Sequence, residues 1–137
     1  MRLFLDANVL FTAAHNPEGR SAALVELGRR GFCSLHTSPH ALEEARRNLR
    51  LKLPQGADAL EGLLETIAVE REASSPLVRW ALEQGLPLKD APILAAAVGA
   101  RADLLVTGDR KHFGDLYGET LRGVEVVTPA AALARLL

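Results

Sequence analysis

Lys89-Asp90-Ala91-Pro92-Ile93-Leu94-Ala95-Ala96-Ala97-Val98-Gly99-Ala100-Arg101-Ala102-Asp103-Leu104-Leu105-Val106-Thr107-Gly108-Asp109 is the stretch whose reading decides the fold. From Ala91 to Ala100 it is apolar almost all round, which predicts a helix buried on every side rather than one lying on the surface. Asp103 to Thr107 then reads as a short buried strand broken at Gly108. Buried helix followed directly by buried strand is the unit of a layered α/β protein.

Outward from that stretch, Arg2-Leu-Phe-Leu5 is a second apolar run, stopped at Asp6, and predicts a buried strand. Residues 8 to 14 are ambiguous. Pro17 to Arg30 carries an amphipathic pattern closed by Gly31, and Phe32 to Thr37 predicts another strand. Ser38-Pro39 starts a helix that turns Ala41, Leu42, Ala45 and Leu49 inward and stops before Pro54. Residues 55 to 65 read as helical, and Thr66 to Val69 as a short strand. Leu77 to Gln84 lies between the start signal Ser75-Pro76 and the stop Gly85, with Trp80 expected in the core. Val124 to Val127 is a further strand, and Thr128-Pro129 caps a final helix to Leu137. The alternation predicts a three-layer α/β/α sandwich with a central, mainly parallel sheet, in a single domain spanning residues 1–137.

Composition narrows the function. The chain has 137 residues, 48% of them hydrophobic, and a formal net charge of -1, which argues against holding nucleic acid by bulk positive charge. Basic residues are instead local, at Arg29-Arg30, at Arg46-Arg47 with Arg50 and Lys52, and at Arg110-Lys111-His112. The single cysteine, Cys33, excludes an intramolecular disulfide and a cysteine metal cage, and its apolar surroundings predict a buried structural thiol. Asp6 and Asn8 interrupt the N-terminal apolar run before it can act as a signal peptide, and no run approaches a membrane span. A soluble, cytoplasmic protein is expected. His15, His36, His40 and His112 show no HExxH-type spacing, so zinc is not expected, and neither a Walker loop nor a serine elbow is present.

In open α/β sheets, sites form beyond the carboxyl ends of strands, which draws attention to Asp6 and Asp109. Taken singly, each acid has an ordinary structural explanation: Asp6 and Asp90 as helix caps, Asp109 as a turn residue, Glu44 as an exposed helical side chain. Brought together, these carboxylates repel one another and raise their own pKa values unless a cation neutralises them. Hard oxygen ligands select Mg2+ or Mn2+, and such an ion suits phosphodiester hydrolysis.

Three segments, in order, give the set its meaning: Leu3-Phe-Leu-Asp6-Ala-Asn8-Val-Leu10, Ser38-Pro-His-Ala-Leu-Glu43-Glu44-Ala-Arg-Arg-Asn-Leu49, and Lys89-Asp90 through Thr107-Gly-Asp109. Together they resemble the PIN-domain nucleases over nearly the whole chain. The resemblance implies a PIN fold that gathers Asp6, Glu44, Asp90 and Asp109 as the metal-binding catalytic acids. It places Asn8 and Thr107 at the supporting polar positions. It also implies cleavage of RNA with Mg2+ or Mn2+, a toxin of the toxin-antitoxin type with an antitoxin partner, and a homodimer. Glu43 and Glu44 are turned about 100° apart on a helix, so only one can face the site. Glu44 fits the spacing from Ser38, with Glu43 the alternative. Arg46, Arg47, Arg110 and His112 are candidate contacts for substrate phosphate. The rival readings are an inactive PIN module that binds RNA or a protein, and a DNA nuclease or phosphatase with a similar acidic site.

Overall fold

The computed structural model describes residues 1–137, and its central feature is a six-stranded sheet. The strands are β1 (Arg2–Leu5), β2 (Ser34–Thr37), β3 (Ile67–Val69), β4 (Leu104–Val106), β5 (Thr120–Leu121) and β6 (Val124–Val127), in the order β3-β2-β1-β4-β6-β5. All pairs are parallel except β5 with β6. The two central strands are the apolar runs that a sheet covered on both faces demands: Leu3, Phe4, Leu5, Leu104, Leu105 and Val106 are all buried. Leu3 pairs with Leu104 and Leu5 with Val106, so Asp6 and Thr107 emerge side by side.

Helices α1 (Ala7–His15), α2 (Arg20–Arg29), α3 (Pro39–Lys52) and α4 (Ala57–Leu63) fill the connections from β1 to β3. Helices α5 (Ser75–Glu83) and α6 (Ala91–Gly99) lead to β4, α7 (Arg110–Phe113) follows it, and α8 (Pro129–Leu136) ends the chain. The order of strands moves one way from β1 to β3 and the other way from β4 onward. With right-handed crossovers, this reversal puts α1 to α4 on one face of the sheet and α5 and α6 on the other. Contacts agree with that division: α1 packs on α2, α3 and α4, α2 on α8, and α5 on α6. The result is the expected sandwich with a mainly parallel sheet. The reversal lies between β1 and β4, and the crevice beyond their carboxyl ends is where such folds bind ligands.

Residues 8 to 14 are helical, as part of α1. Val9, Phe11 and Thr12 have weak helix propensity, so the sequence alone is ambiguous; burial of Ala7, Val9, Leu10, Ala13 and Ala14 decides the outcome. The helix expected from Pro17 begins at Arg20, because Asn16 Oδ1 accepts the Glu18 amide and closes a turn first. Strand β2 begins at Ser34 rather than Phe32, which is 63% exposed. Cys33 is half-buried, which corrects the expectation of a fully buried thiol. Trp80 is also half-buried: one ring face carries the Arg122 guanidinium at 4.4 Å while the side chain packs against the core.

Helix α6 meets its apolar reading: Ala91, Ile93, Leu94, Ala95, Ala96 and Ala97 are all buried. Its small residues let it sit close against the sheet and fix the position of Asp90 at its start. Leu94 has no exposed surface. Leu94→Ala is expected to cost about 2–5 kcal/mol in urea unfolding, seen as a lower midpoint with an unchanged slope.

Candidate active site

Asp6 ends β1 and caps α1, its Oδ1 accepting the Ala7 amide at 2.7 Å. Its Oδ2 accepts the Thr107 hydroxyl at 2.8 Å and the Asn8 side-chain amide at 3.1 Å. Thr107 Oγ1 in turn accepts the Asp109 amide at 3.1 Å, while Asn8 Oδ1 accepts the Gly108 amide at 2.7 Å. A Cβ on Gly108 would stand 3.3 Å from that same Asn8 oxygen, so the turn approaches α1 as closely as a glycine permits. Asn8 and Thr107 therefore both orient a carboxylate. They also lock the exits of β1 and β4 together.

Asp109 opens α7 and accepts the His112 amide on Oδ1 at 3.1 Å. Its Oδ2 lies 2.8 Å from His112 Nδ1. Asp90 stands at the start of α6, yet its side chain makes no capping bond, so the cap explanation fails for it. Asp90 Oδ2 is buried without a hydrogen-bond partner; His112 Nδ1 is 3.2 Å away but lacks hydrogen-bond geometry toward it.

Asp6, Glu44, Asp90 and Asp109 line one cleft of about 350 Å³ with Asn8, Thr12, Asn48 and Lys89. Glu44 projects into it from α3, and Lys89 Nζ lies 3.7 Å from Glu44 Oε1. Glu43 turns outward to Arg50. The sequence reading passes over Thr12, Asn48 and Lys89. Thr12 follows Asn8, and Asn48 follows Glu44, by one helical i, i+4 step, a signal that would have found both.

The basic residues separate. Arg46 does not line the cleft and is held through two nitrogens by Glu61. Its position two residues past Glu44 puts it across the helix from the cleft. His112 turns its Nδ1 toward Asp109 and Asp90. Arg47 shares a neighbouring hollow with Glu44 and Lys89, and exposed Arg110 shares another with Asn8 and Arg20.

Burial pushes the Asp6 carboxyl up to about 6 against the pull of its Thr107 and Ala7 hydrogen bonds, and the charges of Glu44 and Asp90 add to the rise. Burial likewise raises Asp90, opposed by Lys89 and His112. At Asp109 burial acts upward too, but the backbone and side-chain hydrogen bonds of His112 outweigh it and hold the group below its ordinary value. The buried Asp90 Oδ2, which has no hydrogen-bond partner, and the enclosed Asp6 carboxyl are groups that a cation would satisfy. Hard oxygen donors of this kind fit a small divalent ion.

The fold and this cleft define an α/β protein with a carboxylate cluster at the crevice where the strand order reverses. The model of the PIN domain matches residues 2–111, and the chain belongs to that family. VapBC2 of Rickettsia felis, solved bound to a DNA fragment from its promoter, is 19% identical, with a TM-score of 0.68 over 93% of this chain and 98% of that one. PAE2754 of Pyrobaculum aerophilum is 20% identical, with a TM-score of 0.69 over 99% of this chain and 98% of that one. VapC20 of Mycobacterium tuberculosis, a sarcin-ricin loop cleaving toxin, is 16% identical, with a TM-score of 0.56 over 80% of this chain and 91% of that one. At these identities the likeness is one of fold. The search of curated proteins finds no match. No helix is long and apolar enough to cross a membrane.

The raised Asp6 pKa has a definite sign in stability. Between its ordinary 3.8 and about 6 the folded chain binds more protons than the unfolded chain, so unfolding free energy falls as pH rises through that window. The difference amounts to roughly 3 kcal/mol for Asp6, with Asp90 acting in the same direction. Urea unfolding in chelator should therefore show stability dropping from pH 4 to 7. Asp6→Asn should flatten the drop, and Mn2+ or Mg2+ should restore stability at pH 7. Metal-free stability that rises through the window would contradict this account.

Proposed function

We propose that this protein is a Mg2+- or Mn2+-dependent endoribonuclease, acting as a single domain and as the toxin of a toxin-antitoxin pair. The observation that carries the reading is the convergence of Asp6, Glu44, Asp90 and Asp109 on one cleft, with Asp90 Oδ2 buried and unpartnered. Membership of the PIN domain family supports nuclease chemistry. The activity named for VapC20, cleavage of the sarcin-ricin loop, supports RNA as the substrate. The pairing in VapBC2 supports a cognate antitoxin.

When bound, the divalent ion supplies charge neutralisation at the scissile phosphate and acidification of water. The remaining work falls to the chain. Asp6, immobilised by Thr107 and Asn8, and Asp90 present oxygens at fixed positions, so the ligands need little reorganisation. Before an ion binds, the hydrogen bonds of His112 hold Asp109 toward its ionised form, so it supplies negative charge at the α7 end of the cleft. Lys89, Arg47 and Arg110 stand at its margins, where they can pair with phosphates on either side of the scissile one.

Purified protein should cut single-stranded RNA in Mg2+ or Mn2+ and leave duplex DNA and a phosphomonoester intact. Asp6→Asn and Asp90→Asn should lose more than the roughly 100-fold that outer-shell changes at metal sites can cost, with the fold retained by circular dichroism. Glu43→Gln should keep the wild-type rate, whereas Glu44→Gln should not. Full activity in Asp6→Asn or Asp90→Asn would remove the site assignment, and cleavage of DNA alone would reassign the substrate.

A further inference from the structure

The ring of His112 turns its Nδ1 toward two of the acids, Asp109 and Asp90. Its Nδ1, Asp109 Oδ2 and one Asp90 oxygen fall within 4.8 Å of one another. We propose that His112 Nδ1 is itself a ligand of the divalent ion, held with Asp90 and Asp109 beside the cleft that those two acids line, and that this nitrogen makes the protein prefer Mn2+ to Mg2+. The inference rests on the metal-dependent reading above and names a donor that reading does not contain.

Three features carry it. Asp90 Oδ2 is 4% exposed as part of its residue, has no hydrogen-bond partner, and lies 3.2 Å from His112 Nδ1. An N–H donated by that nitrogen is directed to Asp109 and leaves the Asp90 oxygen unsatisfied, whereas an ion between the three groups satisfies all of them. The spacing also suits an ion. An octahedral ion with bonds of about 2.1 Å places adjacent ligands about 3.0 Å apart. The Nδ1 separations from Asp109 Oδ2 and Asp90 Oδ2, 2.8 and 3.2 Å, bracket that value.

The third feature is the anchoring of the ring. His112 N donates to Asp109 Oδ1, so α7 holds histidine and aspartate in one rigid turn, and the imidazole is 25% exposed. A neutral ring protonated at Nε2 offers the Nδ1 lone pair to an ion. Imidazole nitrogen suits transition-metal ions, whereas Mg2+ is held by carboxylates and water. The nitrogen thus tilts a site of oxygen donors toward Mn2+.

Pulsed electron paramagnetic resonance on Mn2+-loaded protein tests this without an activity readout. Wild type should show nitrogen modulation from a directly bound imidazole, which changes when histidine is labelled with 15N and vanishes in His112→Gln. In calorimetry His112→Gln should weaken Mn2+ by 10-fold or more, since loss of a supporting group alone typically costs about 10–100-fold, with Mg2+ much less affected. Circular dichroism and thermal unfolding establish that the variant is folded. Bound Mn2+ without nitrogen modulation, or an unchanged Mn2+/Mg2+ preference in folded His112→Gln, overturns the proposal. RNA cleavage alongside absent modulation sinks only the histidine ligand; nitrogen-coupled Mn2+ without cleavage of RNA sinks only the ribonuclease reading. Failure of Mn2+ to bind at all sinks both.

Discussion

The hydrogen bond from Thr107 Oγ1 to Asp6 Oδ2 joins the exits of two strands that are far apart in sequence and adjacent in space. Around it, Asn8 bridges Asp6, Thr107 and the Gly108 amide, so the β1 exit, the first turn of α1 and the β4 exit form one hydrogen-bonded unit. The remaining acids are placed relative to that unit. Asp109 lies two residues past Thr107 on the same turn, Asp90 is carried in by the buried helix α6, and Glu44 by α3 packed against α1. Burying Asp6 has an electrostatic consequence, because a carboxylate taken out of water without a compensating charge is unfavourable by several kcal/mol. Burial holds the group toward its protonated form, with its pKa raised to about 6, and a neighbouring cation would offset that cost.

The acids therefore divide by environment rather than by type. Asp109 sits in a helix turn that donates a backbone amide and a histidine side chain to it, and it stays ionised. Asp6 and Asp90 are more deeply enclosed and are held toward the neutral form. A cation in the cleft would favour the ionised forms of Asp6 and Asp90 against the burial that raises both. Affinity for the ion consequently rises with pH, and the same ion adds to fold stability, because it binds the folded arrangement and not the dispersed acids of the unfolded chain.

The sequence discloses the parts of this site that local chemistry dictates. The apolar stretch before Asp6, the buried character of residues 91 to 100 and the Thr107-Gly108 turn each follow from composition over a few residues, and each stands as read. Glu44 lines the cleft while Glu43 pairs with Arg50, in keeping with the position of Ala41 and Ala45 on the buried side nearest Glu44. What escapes is long-range. Arg46 looks like a phosphate contact until Glu61, on another helix, claims it. His112 looks like a surface histidine until α6 brings Asp90 against it. Helix α7 and strand β5 are too short for any periodic pattern to register, and α1 is decided by packing against three helices rather than by its own propensities.

The same distinction explains how a chain of net charge -1 can present itself to a polyanion. Much of its positive charge is neutralised by partners within the fold: Arg29 and Arg30 by Glu26, Arg46 by Glu61, Arg50 by Glu43 and Arg135 by Glu125. Arg47 and Arg110 have no such partner, and both flank the acidic cleft. Lys89 spans the rim, close to Glu44 yet more than half exposed. Under the reading proposed above, these cations beside the cleft would favour a phosphodiester strand that its acids would otherwise repel. A cation that neutralised the acids would lessen their repulsion of the strand, so on that reading cation and strand would each favour the other's binding.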